Sequence, residues 1–421
     1  MTKRWDGATR RQFLQWAGAM GLTSPAINPA SPKGRLNGMV RTGLDVFIRN
    51  PPAALRGKRV GLITNPSGVD PNFRSTVDLL AARRDFHLVA LFGPEHSIRG
   101  NAGDAISNTV DARTGLPVYS LYGDTRGPTP AMLNGLDALI FDIQDIGARF
   151  YTYISTMALA MKAAAANGIR FVVLDRPNPL GGQMVDGPVL DPPWSSFIGM
   201  YPIPILHGMT IGELAQLFNN EYGLGADLLV VPMDGWHRSM WFDDTGLPWV
   251  ITSPNIPHFQ TAILYPALGP VGDTNLSVGV GTTKPFEFVG ATYAQPWRLR
   301  AALETHHPGG VAFREAYWRG SPCPPAGGSE YGGVEIRVID RTAYRPVHLM
   351  MQILDAVQRL YPDELEWGAA PRGQYMFDLE MGTDQVRRDL TAGRAPQLIE
   401  TDWQPKLTDF LRVRTQYLLY R

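Results

Sequence analysis

The sequence predicts an α/β protein in which a parallel-sheet domain is followed by a smaller α/β, or α+β, domain. From residue 58 onward, short apolar runs ending in Gly/Pro/Asn-rich turns alternate with helix-like segments, as βαβ units do. The 421 residues are roughly two to three times the usual size of one domain. After about residue 250 the texture changes to a Gly/Pro/Asn-rich stretch that runs to Pro285 before strand-like and helix-like segments resume.

Residues 59–63 form the first expected strand, ending in Thr64-Asn65-Pro66-Ser67-Gly68. A helix over 74–83 leads to a strand over 88–92, which ends in Gly93-Pro94-Glu95-His96. A strand over 118–122 and a short helix over 130–136 follow. The strand over 138–143 runs into Gln144-Asp145-Ile146-Gly147, and a helix over 151–166 returns the chain to a strand over 171–174, which ends in Asp175-Arg176-Pro177-Asn178-Pro179. A helix over 211–222, with Thr210 and Glu213 spaced as a capping box, and a strand over 228–231 complete this domain. In the second domain 334–339 reads as a strand and 347–360 as a helix, with another helix near the end. The expected divisions are a leader and linker over 1–36, the parallel-sheet domain over 37–250 and the smaller domain over 251–421.

Net charge is +0, but the first 36 residues hold six basic side chains against Asp6, a balance of +5 that leaves about −5 on the body. An acidic body without a basic run lacks the footprint of phosphate binding, so no nucleic-acid partner is expected. Cys323 is the single cysteine, which excludes an intramolecular disulfide, and its Pro/Gly-rich surroundings supply no base to activate it. Thr9-Arg10-Arg11-Gln12-Phe13-Leu14, followed by an apolar stretch to Leu22, has the layout of a twin-arginine export signal. That stretch is much shorter than the roughly 20 residues of a membrane span. The expectation is a periplasmic or secreted protein without a stable membrane anchor, monomeric or homodimeric.

In open parallel sheets, ligands bind beyond the carboxyl ends of the strands, so the polar post-strand loops form the expected site. Glu95, His96 and Arg99 share one such loop; Glu95 is either a proton donor or a brace paired with Arg99. Asp142 and Asp145 lie on a second loop, and two carboxyl loops converging on one sheet edge suit glycoside hydrolysis, with one carboxyl protonated and the other ionised. His96, Asp142, Asp145 and Asp175 are the rival set of metal ligands, but they lack paired-histidine spacing. Neither a Walker-type loop nor Gly-x-Gly-x-x-Gly follows the first strand, so neither metal nor cofactor is expected. His207 and His258 read as packing or hydrogen-bonding residues. The Gly-rich segment from Gly272 to Glu287, with Asn275 and Lys284, is either a close sugar approach or a structural connector. Trp236, Trp241 and Trp249 either stack on a sugar or anchor the interdomain region.

With these segments the chain resembles the bacterial exo-β-N-acetylmuramidases of the NamZ type. The carriers are Gly61-Leu-Ile-Thr-Asn-Pro66, Leu91-Phe-Gly-Pro-Glu-His96, Phe141-Asp-Ile-Gln-Asp-Ile-Gly-Ala-Arg-Phe-Tyr-Thr-Tyr153, Leu174-Asp-Arg-Pro-Asn-Pro-Leu-Gly-Gly182, His207-Gly-Met-Thr210, Ser253-Pro-Asn255 and Thr282-Thr-Lys-Pro-Phe-Glu287. The resemblance implies a Rossmann-like first domain, a smaller second domain, and release of N-acetylmuramic acid from the non-reducing ends of peptidoglycan fragments; the cleft is expected between the two domains. It implies Glu95 as general acid, with His96 assisting and Asp142 or Asp145 as second carboxylate. Candidate substrate contacts are Asn65, Arg99, Arg149, Tyr151 and Asp175 in the first domain and Asn255, Asn275, Lys284 and Glu287 in the second. Ser97 stands where the family often has Gly, and Val280 where it usually has Arg. The lactyl carboxylate of N-acetylmuramic acid calls for a cation, which Arg99, Arg149 or Lys284 would supply. The rivals are a non-catalytic muropeptide-binding protein and a metal-dependent esterase or amidase.

Overall fold

Arg59–Thr64 is an apolar run too short for a stable helix and is buried from Val60 onward, so it forms a central strand, β1. The computed structural model describes residues 39–100, 108–320 and 328–421; the Arg10-Arg11 motif and Cys323 lie outside the described residues. β1 is followed by β2 (His87–Gly93), β3 (Thr109–Val110), β4 (Pro117–Ser120), β5 (Ala138–Asp142), β6 (Arg170–Leu174) and β7 (Leu228–Val231). These seven strands form one sheet in the order β3-β4-β2-β1-β5-β6-β7, parallel throughout except for the β3–β4 pair.

Helices α1 (Gly43–Arg49), α2 (Thr76–Ala81), α3 (Pro130–Leu133), α4 (Tyr153–Ala166) and α5 (Ile211–Glu221) accompany the sheet. Two apolar clusters form its core, one with Leu62, Ile140 and Val172, the other with Ile63, Phe141 and Val173. Alternate residues of the same strands thus point to opposite faces, and both faces are covered. From β1 the chain moves outward to β2 and β4, then returns to β5 on the other side of β1. The order therefore reverses between β1 and β5, which opens a crevice at their carboxyl ends.

The second half begins with α6 (Phe259–Val271), followed by β8 (Phe288–Ala291), α7 (Pro296–Thr305), β9 (Val311–Arg319) and β10 (Glu330–Val338). The three strands form a separate antiparallel sheet in the order β8-β10-β9. Helices α8 (Pro346–Leu360), α9 (Met376–Met381), α10 (Gln385–Thr391) and α11 (Pro396–Arg414) follow. The core here unites Ile263, Leu264 and Leu268 of α6 with Met350, Ile353 and Leu354 of α8, and it also takes in Ala148, Phe150, Ile205 and Leu206 from the first half.

Among the departures from the sequence reading, two bear on the site. α6 occupies part of the stretch read as Gly/Pro/Asn-rich and carries Pro266 and Pro270 inside it. Each proline removes a helical N–H donor, a cost offset by the burial of Ala262, Ile263, Leu264, Ala267 and Leu268. The strand expected to reach Tyr122 ends at Ser120, leaving Tyr122 in the loop beyond. The Thr210–Glu213 capping box forms as expected.

Candidate active site

Glu95 follows β2 at the carboxyl edge of the sheet. Its loop is tightly drawn: a Cβ on Gly93 would meet Ser97 Cα at 3.1 Å, and one on Gly100 would meet Pro66 Cγ at 2.8 Å. His96 and Ser97 both take left-handed backbone conformations, with φ of 68° and 63°. Such residues cost of order 1–3 kcal/mol each and are held only where the surroundings impose them. The loop fixes Glu95 with 29% of its side chain exposed and His96 with 15%, Glu95 Oε1 lying 4.0 Å from His96 Nε2. His96 Nε2 is also 3.2 Å from Ser253 Oγ, which ties the loop to the chain just before α6.

The adjacent loops converge on the same place. The carbonyl of Thr252 accepts hydrogen bonds from Tyr153 Oη at 2.6 Å and Asn65 Nδ2 at 3.3 Å, and its hydroxyl accepts from Tyr151 Oη at 2.7 Å. Segments following β1 and β5 thereby position Ser253 beside His96. Burial pushes the Tyr151 and Tyr153 phenols above their ordinary values, and the Glu95 charge adds to the rise at Tyr153. On the other side, Tyr122 follows β4. Burial raises its phenol, the Arg126 guanidinium lowers it, and the Glu95 charge raises it.

The remaining carboxyls of this edge are enclosed. Asp142 has a side-chain exposure of 0% and accepts from Arg176 Nε at 2.6 Å, Arg176 Nη2 at 3.0 Å and Thr76 Oγ1 at 2.5 Å. Its place is to join β5 to the start of α2 and to the loop after β6, and both its oxygens are taken by those partners. Asp145 accepts from the Gly147 amide at 2.8 Å and lies 3.7 Å from His207 Nε2. Desolvation by burial raises Asp145 to about 7 and lowers His207 to about 3, so this pair favours neutral forms. Asp175, raised by burial to about 7, accepts from Thr210 Oγ1 at 2.8 Å, the Gly212 amide at 2.7 Å and Tyr420 Oη at 2.5 Å, anchoring α5 and the C-terminal tail.

Two arginines weighed as substrate contacts are engaged elsewhere. Arg149 is buried and donates to the carbonyls of Pro188, Ile203 and Glu380 at 2.8, 2.7 and 2.6 Å, and desolvation lowers it to about 9. Arg99 does not pair with Glu95; it donates to Asp111 at 2.6 and 3.0 Å and to Asp78 at 3.0 Å. In the second half, Asn255 is exposed on the loop that carries Ser253. Asn275 instead braces residues 364–366, donating to the Glu364 carbonyl at 2.7 Å. Lys284 pairs with Glu335 and stands 3.6 Å from Glu287, whose buried carboxylate is 3.2 Å from His258 Nε2. Between them Phe286 packs edge-on against Tyr265, with ring centroids 4.8 Å apart, and Tyr265 packs against Tyr151 at 5.7 Å. This stack connects the Gly-rich segment to the first domain. Trp236 packs edge-on against Tyr420, Trp249 Nε1 donates to the Ile256 carbonyl at 3.3 Å, and Trp241 lies under Arg341.

Tyr122, Arg126 and Ser253 were not among the expected site residues. Tyr122 and Arg126 obey the same post-strand rule that singled out Glu95; reading β4 two residues too long hid Tyr122. Among the described residues, no three His, Cys, Asp or Glu side chains are grouped as a metal site requires, and no helix is long and apolar enough to cross a membrane.

Residues 60–260 match the family model of the exo-β-N-acetylmuramidase NamZ N-terminal domain, and residues 263–420 that of its C-terminal domain. The peptidoglycan β-N-acetylmuramidase NamZ of Bacillus subtilis (strain 168) is 46% identical over 383 residues, covering 90% of this chain and 91% of that protein. A crystal structure of a DUF1343 family protein from Bacteroides fragilis NCTC 9343 superposes with a TM-score of 0.85 at 39% identity, covering 91% of this chain and 100% of the other. A second DUF1343 protein from the same organism gives 0.72 at 29% identity, covering 91% and 99%.

Proposed function

The chain belongs to the NamZ family of exo-β-N-acetylmuramidases, and we propose that it releases N-acetylmuramic acid from the non-reducing ends of peptidoglycan fragments with Glu95 as general acid. Its relatives are glycosidases that act on peptidoglycan, and geometry supports the role of Glu95. The carrying observation is accessibility. Of the four carboxyls at this edge, Glu95 reaches solvent with 29% of its side chain exposed, against 0% for Asp142 and 6% for Asp145, and Asp175 is fully buried.

In this reading the sugar occupies the crevice bounded by the loops after β1, β2, β4 and β5 and by residues 252–255. Glu95 protonates the glycosidic oxygen as the bond to the anomeric carbon breaks, and water completes the hydrolysis. His96, braced on Ser253, exchanges the proton that Glu95 must regain between turnovers. Asp142 and Asp145 hold the sheet edge rather than the sugar. We also propose export to the periplasm or beyond, supported by the Arg10-Arg11 motif; replacing both arginines with lysine should leave the protein in the cytoplasm.

The test of substrate and chemistry is release of nitrophenol from a para-nitrophenyl β-N-acetylmuramide and from the matching glucosaminide, with and without chelator. Preferential turnover of the muramide, unchanged by chelator, supports the reading. Loss of activity on chelation, or no hydrolysis of either sugar, would sink it.

A further inference from the structure

Arg99, Arg149 and Lys284, the three cations weighed as partners for the substrate carboxylate, are all committed to protein groups, and position 280 carries a valine. We infer that Arg126 is the specificity-determining residue that binds the lactyl carboxylate of N-acetylmuramic acid, an inference that rests on the muramidase reading above.

The placement follows from strand register. Gly93 of β2 pairs with Ser120 of β4, and the Leu121 amide donates to the Gly93 carbonyl at 2.8 Å. Glu95 and Tyr122 each lie two residues beyond that pair, so the two loops leave the sheet side by side. Arg126 then folds back: its guanidinium carbon sits 4.0 Å from the centroid of the Tyr122 ring and 4.7 Å from that of Phe197. Tyr122 and Phe197 themselves pack with centroids 6.2 Å apart.

Two aromatic rings thus hold the guanidinium on the loop beside the one that carries Glu95. Arg126 is exposed, and among the described residues no carboxylate forms an ion pair with it, the exposed Asp124 two residues earlier included. Among the described residues its guanidinium is held by the two rings, which leaves its N–H groups to a ligand. A planar guanidinium held by rings and facing solvent suits a carboxylate, which it can grip bidentately. The lactyl group is the feature that distinguishes N-acetylmuramic acid from N-acetylglucosamine. Its recognition close to the acid would couple the choice of sugar to cleavage.

The experiment compares wild type, R126A and R126K on three chromogenic substrates: the muramide, its lactyl methyl ester and the glucosaminide. Loss of a charge-assisted pair predicts that R126A lowers kcat/KM on the muramide by about tenfold to a hundredfold, mainly through KM. Masking the carboxylate as the ester should cost the wild type a similar factor and cost R126A little, with R126K intermediate. If wild type and R126A discriminate acid from ester equally, the inference is overturned. Should wild type hydrolyse none of the three, the muramidase reading itself fails. Calorimetric binding of free N-acetylmuramic acid and its methyl ester to wild type and R126A then still decides the role of Arg126: equal preference for the acid in both proteins overturns it, and loss of that preference in R126A supports it.

Discussion

Replacing Asp142 with asparagine separates structural from catalytic carboxylates at this sheet edge. The side chain is wholly buried and takes three hydrogen bonds, two from Arg176 and one from Thr76, at 2.5–3.0 Å. Asparagine keeps the shape but removes the charge, leaving the Arg176 guanidinium buried without its counter-ion. Breaking a buried pair from one side costs about 3–5 kcal/mol, a large part of the roughly 5–15 kcal/mol that holds a protein folded. D142N should therefore unfold at markedly lower urea, followed by tryptophan fluorescence, and D142N/R176M should recover part of the loss because no lone charge remains. Activity per folded molecule, measured well below the transition, should stay within about threefold of wild type, since nothing at the reacting bond has changed. A D142N protein as stable as wild type but more than about a hundredfold slower would refute the reasoning and make Asp142 catalytic.

Asp145 has its folded pKa raised from 3.8 to about 7 by burial, so its contribution to stability is full below pH 3.8 and is lost as pH rises towards 7. D145N cannot titrate; urea melts across that window should show its stability rising relative to wild type as pH increases, and a constant difference would argue against the shift. T210A removes both the capping-box hydroxyl of α5 and a hydrogen bond to buried Asp175, so a loss of about 1–3 kcal/mol is expected in thermal or urea unfolding. S97G relieves a non-glycine left-handed residue and should raise stability by up to about 1 kcal/mol with activity retained; a clear loss of stability would mean that the serine side chain holds the loop.

The parallel sheet was legible because βαβ segments keep their apolar runs and turn residues contiguous, and the position of Glu95 at the carboxyl edge because the post-strand rule needs only local sequence. Boundaries were less so: β4 ends two residues early, which places Tyr122 in the post-strand loop rather than the strand. α6 was hidden because Pro266 and Pro270 argue against a helix locally, while the packing that outweighs them comes from α8 far along the chain. The partners of charged residues were the least readable. Arg99 and Glu95 are four apart and could have paired, yet Arg99 turns to Asp111 and Asp78. Asp142 finds Arg176, 34 residues away, through the adjacency of β5 and β6. Such pairings are decided by strand order, which spacing alone does not carry.

The central claim is tested most directly by the dependence of E95Q on the leaving group. The measurement is kcat/KM for wild type and E95Q on a para-nitrophenyl β-N-acetylmuramide, whose leaving group departs without protonation, and on a disaccharide of N-acetylmuramic acid linked to N-acetylglucosamine, whose leaving alkoxide requires it. General acid catalysis is worth about 10²- to 10⁴-fold, so E95Q should lose about that factor on the disaccharide and much less on the nitrophenyl glycoside. An E95Q enzyme that cleaves the disaccharide within a few-fold of wild type would contradict the assignment.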